Sequence, residues 1–219
     1  MKNVSLTIDG KEIIAEEGAN LLWTALDNGI YIPNLCAIRE KEEPSASCRL
    51  CFVEIEGYRR PVTACTENVR EGMVVDTRGE ESIRLASTGF ELLMASHPVD
   101  CAHCLANGNC ELQKIAAHLK IRINTKRFVK ILPELPVDES HPKYIHDPNK
   151  CVLCGRCVWM CRKNGSGAFG FANRGFDRVV APFRNMPLNE IDCTNCGVCI
   201  NVCPTGALAF KNADRGQFG

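Results

Sequence analysis

The sequence predicts an α+β protein assembled from small domains, and three observations support this fold class. The N-terminal part has a hairpin, a helix and further strands in succession, the middle part places short helices around cysteines, and the C-terminal part contains a duplicated cysteine run. A chain of 219 residues is long enough for one large domain or for two to three small ones. The cysteine pattern therefore decides the domain organisation.

The N-terminal region has the pattern of a β-grasp-like unit. Residues 1–16 alternate apolar and polar positions around Asp9-Gly10, a dipeptide typical of a tight hairpin turn. A helix follows, with Asn20 as its candidate N-cap and Gly29 where a C-terminal cap belongs. Further strands are expected at Phe52–Glu56 and Met73–Asp76. Hairpin, helix, cysteine-containing loop and strands together indicate mixed α+β structure.

Four cysteines in this region predict a 2Fe–2S cluster. Their spacing is Cys-x11-Cys-x2-Cys-x13-Cys, which differs in length from the plant-type ferredoxin spacing but is of the same kind. We expect Cys48 and Cys51 to bind one iron, and Cys36 and Cys65 to bind the other. A zinc site is the alternative, and the β-grasp-like surroundings favour the cluster.

The middle region predicts a 4Fe–4S cluster with a histidine ligand. A helix is expected at residues 80–96 and a second from Glu111 to Leu119. Between them lies the pattern His-x3-Cys-x2-Cys-x5-Cys, and three cysteines cannot complete such a cluster. An imidazole can replace a thiolate, so His97 is the predicted fourth ligand and His103 the alternative. The predicted set is His97, Cys101, Cys104 and Cys110.

The duplicated run near the C-terminus predicts two more 4Fe–4S clusters. It reads CVLCGRCVWMC at 151–161 and CTNCGVCINVCP at 193–204, so each half is Cys-x2-Cys-x2-Cys-x3-Cys. In the two-cluster bacterial ferredoxin pattern, the fourth cysteine of each half binds the cluster of the other half. The predicted sets are Cys151, Cys154, Cys157 and Cys203 for one cluster, and Cys161, Cys193, Cys196 and Cys199 for the other.

These four sets use all fifteen cysteines with one added histidine. Paired zinc sites are the competing interpretation of the run, but a doubled pattern that ends in Cys-Pro is not typical of zinc. Disulfides explain the cysteines poorly, because their number is odd and the chain is longer than the usual disulfide-stapled domain. His118, His141 and His146 are interpreted as ordinary structural histidines. The predicted segments are 1–79, 80–120, a proline-interrupted connector at 121–149, and 150–219.

Composition excludes some function classes. The 26 basic and 26 acidic residues give a formal charge of zero, which offers no global case for nucleic-acid binding. The basic stretch Lys120–Lys130 is interpreted as a solvated surface, with a docking strip as the alternative. The N-terminus shows no secretory leader pattern and no apolar run approaches the length of a membrane span. We therefore expect a cytoplasmic protein without membrane attachment.

The succession of motifs resembles a known family. It is similar to the N-terminal iron–sulfur region shared by the large iron–sulfur subunit of complex I and by multi-cluster iron-only hydrogenases. It resembles even more closely the small iron–sulfur (diaphorase) subunit of NAD(P)-linked hydrogenases, including electron-bifurcating ones. The most specific segments are CRLCFVE at 48–54, His97-Pro98 with GNCELQ at 108–113, and CVLCGRC at 151–157.

The sequence departs from the family pattern in two respects. Family members usually have glycine two residues before the second cysteine of the 2Fe–2S site, where this chain has Ala46. Alanine is less favourable than glycine if that position requires a positive φ. The chain also ends soon after Cys203, whereas the complex I subunits and iron-only hydrogenases continue into further domains, so neither of those domains is expected here.

The resemblance implies a subunit that transfers single electrons between a flavin-containing NAD(P)-reactive subunit and a hydrogenase module of the nickel–iron type. A P-loop and a spare cysteine for nickel are missing from the sequence, so we predict no catalytic centre of its own. In the resembled family the 2Fe–2S domain lies on the flavin side and the ferredoxin-like domain on the hydrogenase side. Alternatives are the equivalent subunit of an NAD-linked formate dehydrogenase, a complex that also engages ferredoxin, and a free-standing polyferredoxin carrier.

Overall fold

A computed structural model describes residues 2–164 and 166–211 of the chain. These residues form two compact units. One unit contains the residues up to Leu92 together with Ile115–Arg122, and the other contains Leu93–Lys114 and the residues from Ile123 onwards. The predicted α+β class is confirmed. The division into four segments, which follows the expected clusters, stays a prediction.

A mixed sheet forms the centre of the first unit. Within the described residues its strands follow the order β2-β1-β5-β3-β4. β1 pairs with β5 in parallel, and the other neighbouring strands are antiparallel. The strands are β1 Asn3–Ile8, β2 Lys11–Glu16, β3 Phe52–Ile55, β4 Val62–Thr63 and β5 Met73–Asp76.

The local signals of the hairpin and first helix are confirmed. Asp9 and Gly10 both have positive φ, at 51° and 78°, as the turn between β1 and β2 requires. Helix α1, Leu21–Asp27, begins at Asn20, whose Oδ1 accepts hydrogen bonds from the N–H groups of Leu22 and Trp23. Past the end of α1, Gly29 has a φ of 78°.

Helix α1 packs against the sheet through fully buried side chains. Leu21 and Leu22 of the helix and Leu6, Ile8 and Val53 of the strands are almost inaccessible to solvent and belong to one apolar cluster. Burial of each such side chain stabilises the fold by about 1.5–3 kcal/mol. This packing fixes the position of the cysteine-containing loop that connects α1 to β3.

Helix α2, Glu80–Ala95, begins beside the sheet of the first unit. Glu54 of β3 accepts a hydrogen bond from the Ser82 N–H at 3.1 Å, so a carboxylate lies at the positive end of the helix. Helix α3 is Glu111–His118. Among the described residues, no helix is both long and apolar enough to cross a lipid bilayer.

The second unit contains two antiparallel strand pairs and two short helices. β6 pairs with β9, and β7 pairs with β8. Phe169 and Leu188 are buried in its apolar core together with Cys157, Cys161 and Cys199. The elements are β6 Tyr144–His146, α4 Arg156–Lys163, β7 Phe169–Ala172, β8 Val179–Pro182, α5 Val198–Asn201 and β9 Leu208–Phe210.

Two strands of this unit differ from the sequence-based expectation. Residues 121–149 were expected to be irregular, but they include β6, whose Tyr144 pairs with Phe210 of β9. Only residues 178–180 of the glycine-rich insert were expected to be a strand, and the structure adds β7 as their partner. Both strands are short and form through pairing with a distant or neighbouring segment, which local residue preferences do not reveal.

Candidate metal centres

The first group of predicted ligands lies in the first unit. Cys36, Cys48 and Cys51 belong to the loop between α1 and β3, and Cys65 lies on a 3₁₀ turn directly after β4. All four side chains are buried. The structure therefore brings together, in an apolar environment, the four cysteines predicted to bind a 2Fe–2S cluster.

These cysteines form two close pairs. Cys36 accepts a hydrogen bond from the Cys48 N–H at 3.5 Å, and the two thiols also interact directly. Cys51 interacts in the same way with the thiol of Cys65. The hydrogen bond within each pair lowers the pKa of one member, Cys36 in the first pair and Cys65 in the second. The same hydrogen bond, together with burial, raises the pKa of the other member, Cys48 or Cys51. The expectation that Cys48 and Cys51 bind the same iron stays a prediction, although the contacts pair each of them with a different cysteine.

The loop reaches this arrangement through left-handed backbone. Ala46 has a φ of 47° and Arg49 a φ of 54°, so residues on both sides of Cys48 adopt a conformation that favours glycine. The departure from the family pattern at Ala46 therefore concerns a position that does require positive φ. On the other side of the loop, a Cβ built at Gly89 of α2 would lie 2.6 Å from the Arg49 carbonyl oxygen, so glycine permits this close approach.

The second group surrounds a cavity in the second unit. His97, Cys101, Cys104 and Cys110 all line it. Gly206 borders the same cavity, and a Cβ there would lie 2.7 Å from Cys104 Sγ. The four predicted donors thus face one space, next to a position where a larger residue would collide with a donor sulfur.

His97 fits the role of a ligand. Its Nδ1 atom is buried and has no hydrogen-bond partner among the described residues. Burial, followed by the nearby ammonium groups of Lys150 and Lys130, lowers the pKa of His97 to about 4. The ring is therefore neutral near pH 7, which is the form that binds metals. By contrast, His103 does not line the cavity, is largely exposed, and lies with its Nδ1 2.9 Å from Asp100 Oδ1.

The third group surrounds a second cavity. Cys151, Cys154 and Cys157 line it, and Cys203 joins them from the second half of the duplicated run. Burial and the neighbouring thiols Cys154 and Cys203 raise the pKa of Cys151 to about 12. Cysteines that are far apart in sequence are therefore neighbours in the arrangement expected for crossed-over halves.

The fourth group forms around Cys199. Burial, followed by the nearby thiols Cys161, Cys193 and Cys196, raises the pKa of Cys199 to about 12. Cys161 Sγ accepts a hydrogen bond from the Ala168 N–H at 3.1 Å, and it also lies 3.0 Å from Ser166 Oγ. The fourth cysteine of the first half is therefore placed beside the three cysteines of the second half.

The two halves of the duplicated run repeat the same backbone geometry. Leu153 and Asn195, two residues after the first cysteine of each half, have φ values of 54° and 56°. Each donates its N–H to that first cysteine, Cys151 or Cys193, with an N···S distance of 3.4 Å. Gly155 and Gly197 also have positive φ and precede α4 and α5. The repeat curls each loop so that its sulfurs and N–H groups face inward.

Several residues around these sites were not predicted from the sequence. The hydroxyl of Tyr144 lies 3.4 Å from Cys193 Sγ. The buried His141 stacks on the Tyr144 ring and contacts Asn195 Oδ1 through its Nε2. His146 is buried and lines the second cavity. Only the contacts of these residues reveal their position, because a lone histidine or tyrosine far from the cysteines in sequence carries no signal.

N–H groups are directed at cysteine sulfurs in the first, third and fourth groups. Such N–H groups are a property of iron–sulfur sites, where they tune the reduction potential.

Three family profiles match the sequence. A 2Fe-2S iron-sulfur cluster binding domain matches residues 1–80. An NADH-ubiquinone oxidoreductase-G iron-sulfur binding region matches residues 88–124, and a 4Fe-4S dicluster domain matches residues 150–207. The chain therefore carries both 2Fe–2S and 4Fe–4S binding regions.

Comparisons along the whole chain also find iron–sulfur subunits and related oxidoreductases. NADP-reducing hydrogenase subunit HndD of Solidesulfovibrio fructosivorans is 38% identical over 95% of this chain, which spans 36% of that relative's length. The gamma subunit of NAD-reducing hydrogenase HoxS from Cupriavidus necator is 30% identical over 95% of this chain and 88% of its own length. A crystal structure of an NAD⁺-reducing [NiFe]-hydrogenase in the H₂-reduced state contains a chain with a TM-score of 0.85 and 32% identity, covering 96% of this chain and 88% of that one.

The resemblance proposed from the sequence motifs is thus confirmed, and it extends over nearly the whole chain. The same cysteine-rich regions are matched one by one by the family profiles. Fold, cysteine grouping and similarity agree along the sequence. The chain belongs to the family of iron–sulfur subunits that includes the gamma subunit of NAD-reducing hydrogenase HoxS.

Proposed function

We propose that the chain is an electron-transfer subunit with one 2Fe–2S cluster and three 4Fe–4S clusters. It relays single electrons between a flavin-containing NAD(P)-reactive subunit and a hydrogenase module. One observation carries the proposal: fifteen cysteines and His97 come together in four groups of four, as the sequence spacing predicts.

In the 2Fe–2S domain, the close thiol pairs support a revised assignment. Cys36 and Cys48 bind one iron, and Cys51 and Cys65 bind the other, because each pair is already in mutual contact. The residues hold the site through buried sulfurs and the two left-handed positions of the loop. Burial keeps water away from the sulfurs.

In the middle region, His97, Cys101, Cys104 and Cys110 bind a 4Fe–4S cluster. The unpartnered, buried nitrogen of His97 and the shared cavity support this assignment. An imidazole ligand leaves the cluster with one negative charge fewer than four thiolates would give, which favours the reduced state. Lys150, which also lines the cavity, adds positive charge near the site.

In the ferredoxin-like domain, the sets are Cys151, Cys154, Cys157 and Cys203, and Cys161, Cys193, Cys196 and Cys199. The crossing-over is supported by Cys203 on the wall of the cavity of the first half and by Cys161 beside the cysteines of the second half. This exchange holds the two sites close together within one small domain.

Clusters of these types take up and release one electron at a time. The chain itself contributes the sulfur and nitrogen donors, the burial that excludes water, and the N–H groups that stabilise negative charge on sulfur. Partners that exchange hydride or dihydrogen handle electrons in pairs. A chain of one-electron sites between them therefore separates and recombines those pairs.

The proposed partners follow from the names of the relatives. One relative is a subunit of an NAD-reducing hydrogenase, another is a subunit of an NADP-reducing hydrogenase, and the similar structure is an NAD⁺-reducing [NiFe]-hydrogenase. These names favour a hydrogenase with nickel–iron subunits over a formate dehydrogenase or a free carrier. A cytoplasmic location remains part of the proposal.

The crossover assignment is tested by single Cys→Ser variants of the complex, followed by EPR of the reduced protein. We expect Cys154→Ser and Cys203→Ser to remove the same 4Fe–4S signal, and Cys161→Ser and Cys196→Ser to remove the other. Grouping of Cys203→Ser with Cys196→Ser would contradict the crossover. In the Cys154→Ser complex, NAD(P)H still reduces the flavin while transfer to the hydrogenase module falls, and undiminished transfer would contradict the relay.

The partners are tested by anaerobic purification from the native source and mass spectrometry of the co-purifying subunits. A flavoprotein together with nickel–iron hydrogenase subunits is the expected result. A molybdenum or tungsten enzyme in their place would show a formate dehydrogenase type of complex. A protein that purifies alone would contradict the relay between fixed partners.

A further inference from the structure

The β7–β8 hairpin and the turn after it expose aromatic side chains to an unusual degree. Phe176 is 93% exposed, Phe183 69% and Phe171 39%. Large exposed aromatic residues that lie close together mark interaction sites more often than chance surface positions. We call Phe171, Phe176 and Phe183, with Arg174, Arg178 and Arg184, the hairpin surface.

The hairpin surface is strongly basic within a neutral chain. Its three arginines are accompanied by a single acid, Asp177, and the preceding α4 adds the exposed Arg162 and Lys163. The guanidinium of Arg178 lies 4.0 Å from the centre of the Phe171 ring, and that of Arg184 lies 5.3 Å from the centre of the Phe183 ring. Stacked arginine and aromatic side chains are enriched among residues that dominate binding energy.

The same hairpin forms a wall of the cavity lined by Cys151, Cys154, Cys157 and Cys203. Val180 of β8 is buried and lines that cavity, and its partner across the hairpin is Phe171. The Phe171 ring reaches the cysteine loop, since its Cζ atom lies 3.1 Å from the position of a Cβ at Gly155. Phe171 lies on the same face of the hairpin as Val180, so it connects the basic aromatic surface directly to the cluster site.

We propose that the hairpin surface docks an acidic one-electron redox protein, which exchanges one electron with the cluster held by Cys151, Cys154, Cys157 and Cys203. This inference rests on the proposed function, because it gives the proposed relay a surface at which electrons enter or leave. A reduced donor gives up one electron and is oxidised, and the cluster accepts that electron and is reduced. No bond is made or broken. The electron-transfer rate falls steeply with distance, so a partner seated on the hairpin lies where transfer is fast.

The sign of the charge selects the partner. Positive charge on this surface steers an acidic protein towards it and repels a basic one. Phenylalanines between the arginines provide apolar contact once the charges have brought the partner close. Single-stranded nucleic acid also binds basic aromatic surfaces, but the position of this surface over a cluster site favours a redox protein.

The test uses the cluster-loaded chain and a reduced plant-type ferredoxin as the acidic donor, with stopped-flow absorbance as the readout. The triple variant Arg174→Gln/Arg178→Gln/Arg184→Gln and the double variant Phe176→Ala/Phe183→Ala change the hairpin surface. The triple variant Lys120→Gln/Arg122→Gln/Lys126→Gln removes the same charge from another basic stretch. Reduced methyl viologen serves as a small donor that needs no docking surface.

We expect the second-order rate constant with ferredoxin to fall by about tenfold or more in the arginine variant, and its dependence on salt to weaken. The phenylalanine variant also slows, while the control triple variant stays close to the wild type. Rates with methyl viologen remain unchanged in all variants. This combination supports docking at the hairpin surface.

Three results would overturn the inference. They are equal slowing in both triple variants, no slowing in either, or a matching loss with methyl viologen, which would mean that the substitutions damage the cluster itself. Binding of a short oligodeoxythymidylate that is lost in the arginine variant, with an unchanged ferredoxin rate, would assign the surface to nucleic acid instead. Failure of both donors to reduce the wild-type chain would contradict the proposed function rather than the surface alone.

Discussion

Left-handed backbone recurs beside the cysteines at residues that are not glycine. Ala46, Arg49, Leu153 and Asn195 all have φ between 47° and 56°. Asparagine tolerates this region, but alanine, arginine and leucine are less stable there by about 1–2 kcal/mol. Each residue lies within two positions of a predicted ligand, so the loops accept local strain in order to direct their N–H groups and sulfurs inward.

The residue that stands where the family usually has glycine offers a direct test. We predict that Ala46→Gly raises the free energy of unfolding by up to about 1 kcal/mol, because relief of the left-handed strain exceeds the added flexibility of the unfolded chain. Thermal unfolding of the loaded protein measures the change. Ala25→Gly in the middle of α1 is the matched control and should destabilise the protein by about 1 kcal/mol. A loss of stability in both variants would show that Ala46 is not strained.

Tyr144 is predicted to tune the cluster held by Cys161, Cys193, Cys196 and Cys199. Its hydroxyl lies 3.4 Å from Cys193 Sγ and stabilises negative charge on that sulfur by donating a hydrogen bond. Tyr144→Phe should therefore lower the midpoint potential of this cluster and leave the other 4Fe–4S potentials unchanged. EPR-monitored redox titration measures each potential. Tyr58→Phe, in the first unit, is the control, and an unchanged potential in Tyr144→Phe would remove the tyrosine from the site.

At the residue scale, the sequence indicated the cysteine groups more clearly than their surroundings. Cysteine spacing carries a strong signal, because one tight loop can place three sulfurs around one cluster. The pairing of Cys36 with Cys48 could not be read from spacing, since it depends on how the loop folds back between α1 and β3. Tyr144 and His146 reach the sites through the β6–β9 pairing, which the sequence pattern did not reveal.

At the scale of elements, helix α2 supports the 2Fe–2S loop. Gly89 of α2 lies against the Arg49 carbonyl, between the cysteines at 48 and 51. Glu54, on the strand that follows the loop, accepts a hydrogen bond at the start of the same helix. The motif CRLCFVE therefore combines two ligands with two contacts to α2, which gives a physical reason for its specificity.

We predict that Gly89→Ala destabilises the first unit by about 1–3 kcal/mol, because a methyl group 2.6 Å from a carbonyl oxygen forces the loop and the helix apart. The same shift should disturb the 2Fe–2S EPR signal and spare the 4Fe–4S signals. Ser87→Ala, two residues earlier in α2, is the control and should leave both stability and spectra nearly unchanged. A Gly89→Ala protein that is as stable as the wild type would contradict the close contact.

Elements with strong local signals were predicted well. The hairpin, α1 and α2 were predicted from the Asp9-Gly10 turn, the Asn20 cap and the helical apolar pattern. Strand β6 was not, because prolines at 136, 142 and 148 interrupt its neighbourhood and its three residues are a strand only through pairing with β9. Strand β7 contains Gly170, which has no β preference of its own.

At the scale of the whole molecule, the cluster count is the quantity to measure. The proposed assignment predicts about 14 irons per chain in the fully loaded protein. His97→Ala should lose up to about four of them together with one EPR signal, whereas His103→Ala should lose none. Inductively coupled plasma mass spectrometry and spin quantification measure both. His97→Cys should keep the iron and lower the potential, because it adds a negative ligand. Full iron content and an unchanged spectrum in His97→Ala would exclude this ligand.

The fold class and the family could be predicted from the sequence, because they depend on local motifs. The docking surface proposed at the β7–β8 hairpin could not, because it depends on how close this hairpin lies to a cavity and on which of its side chains stay exposed. Formal charge summed over the chain is zero, so the local excess of basic residues at 162–184 shows only when charge is counted segment by segment.

The β6–β9 pairing has a consequence for the biosynthesis of the protein. Tyr144–His146 precede the duplicated cysteine run and Leu208–Phe210 follow it, so the second unit is closed by its first and last strands. A ribosome must therefore release the whole segment before the enclosure can form. On the proposed assignment, neither crossed-over ligand set is complete until the second half of the duplicated run has also been translated.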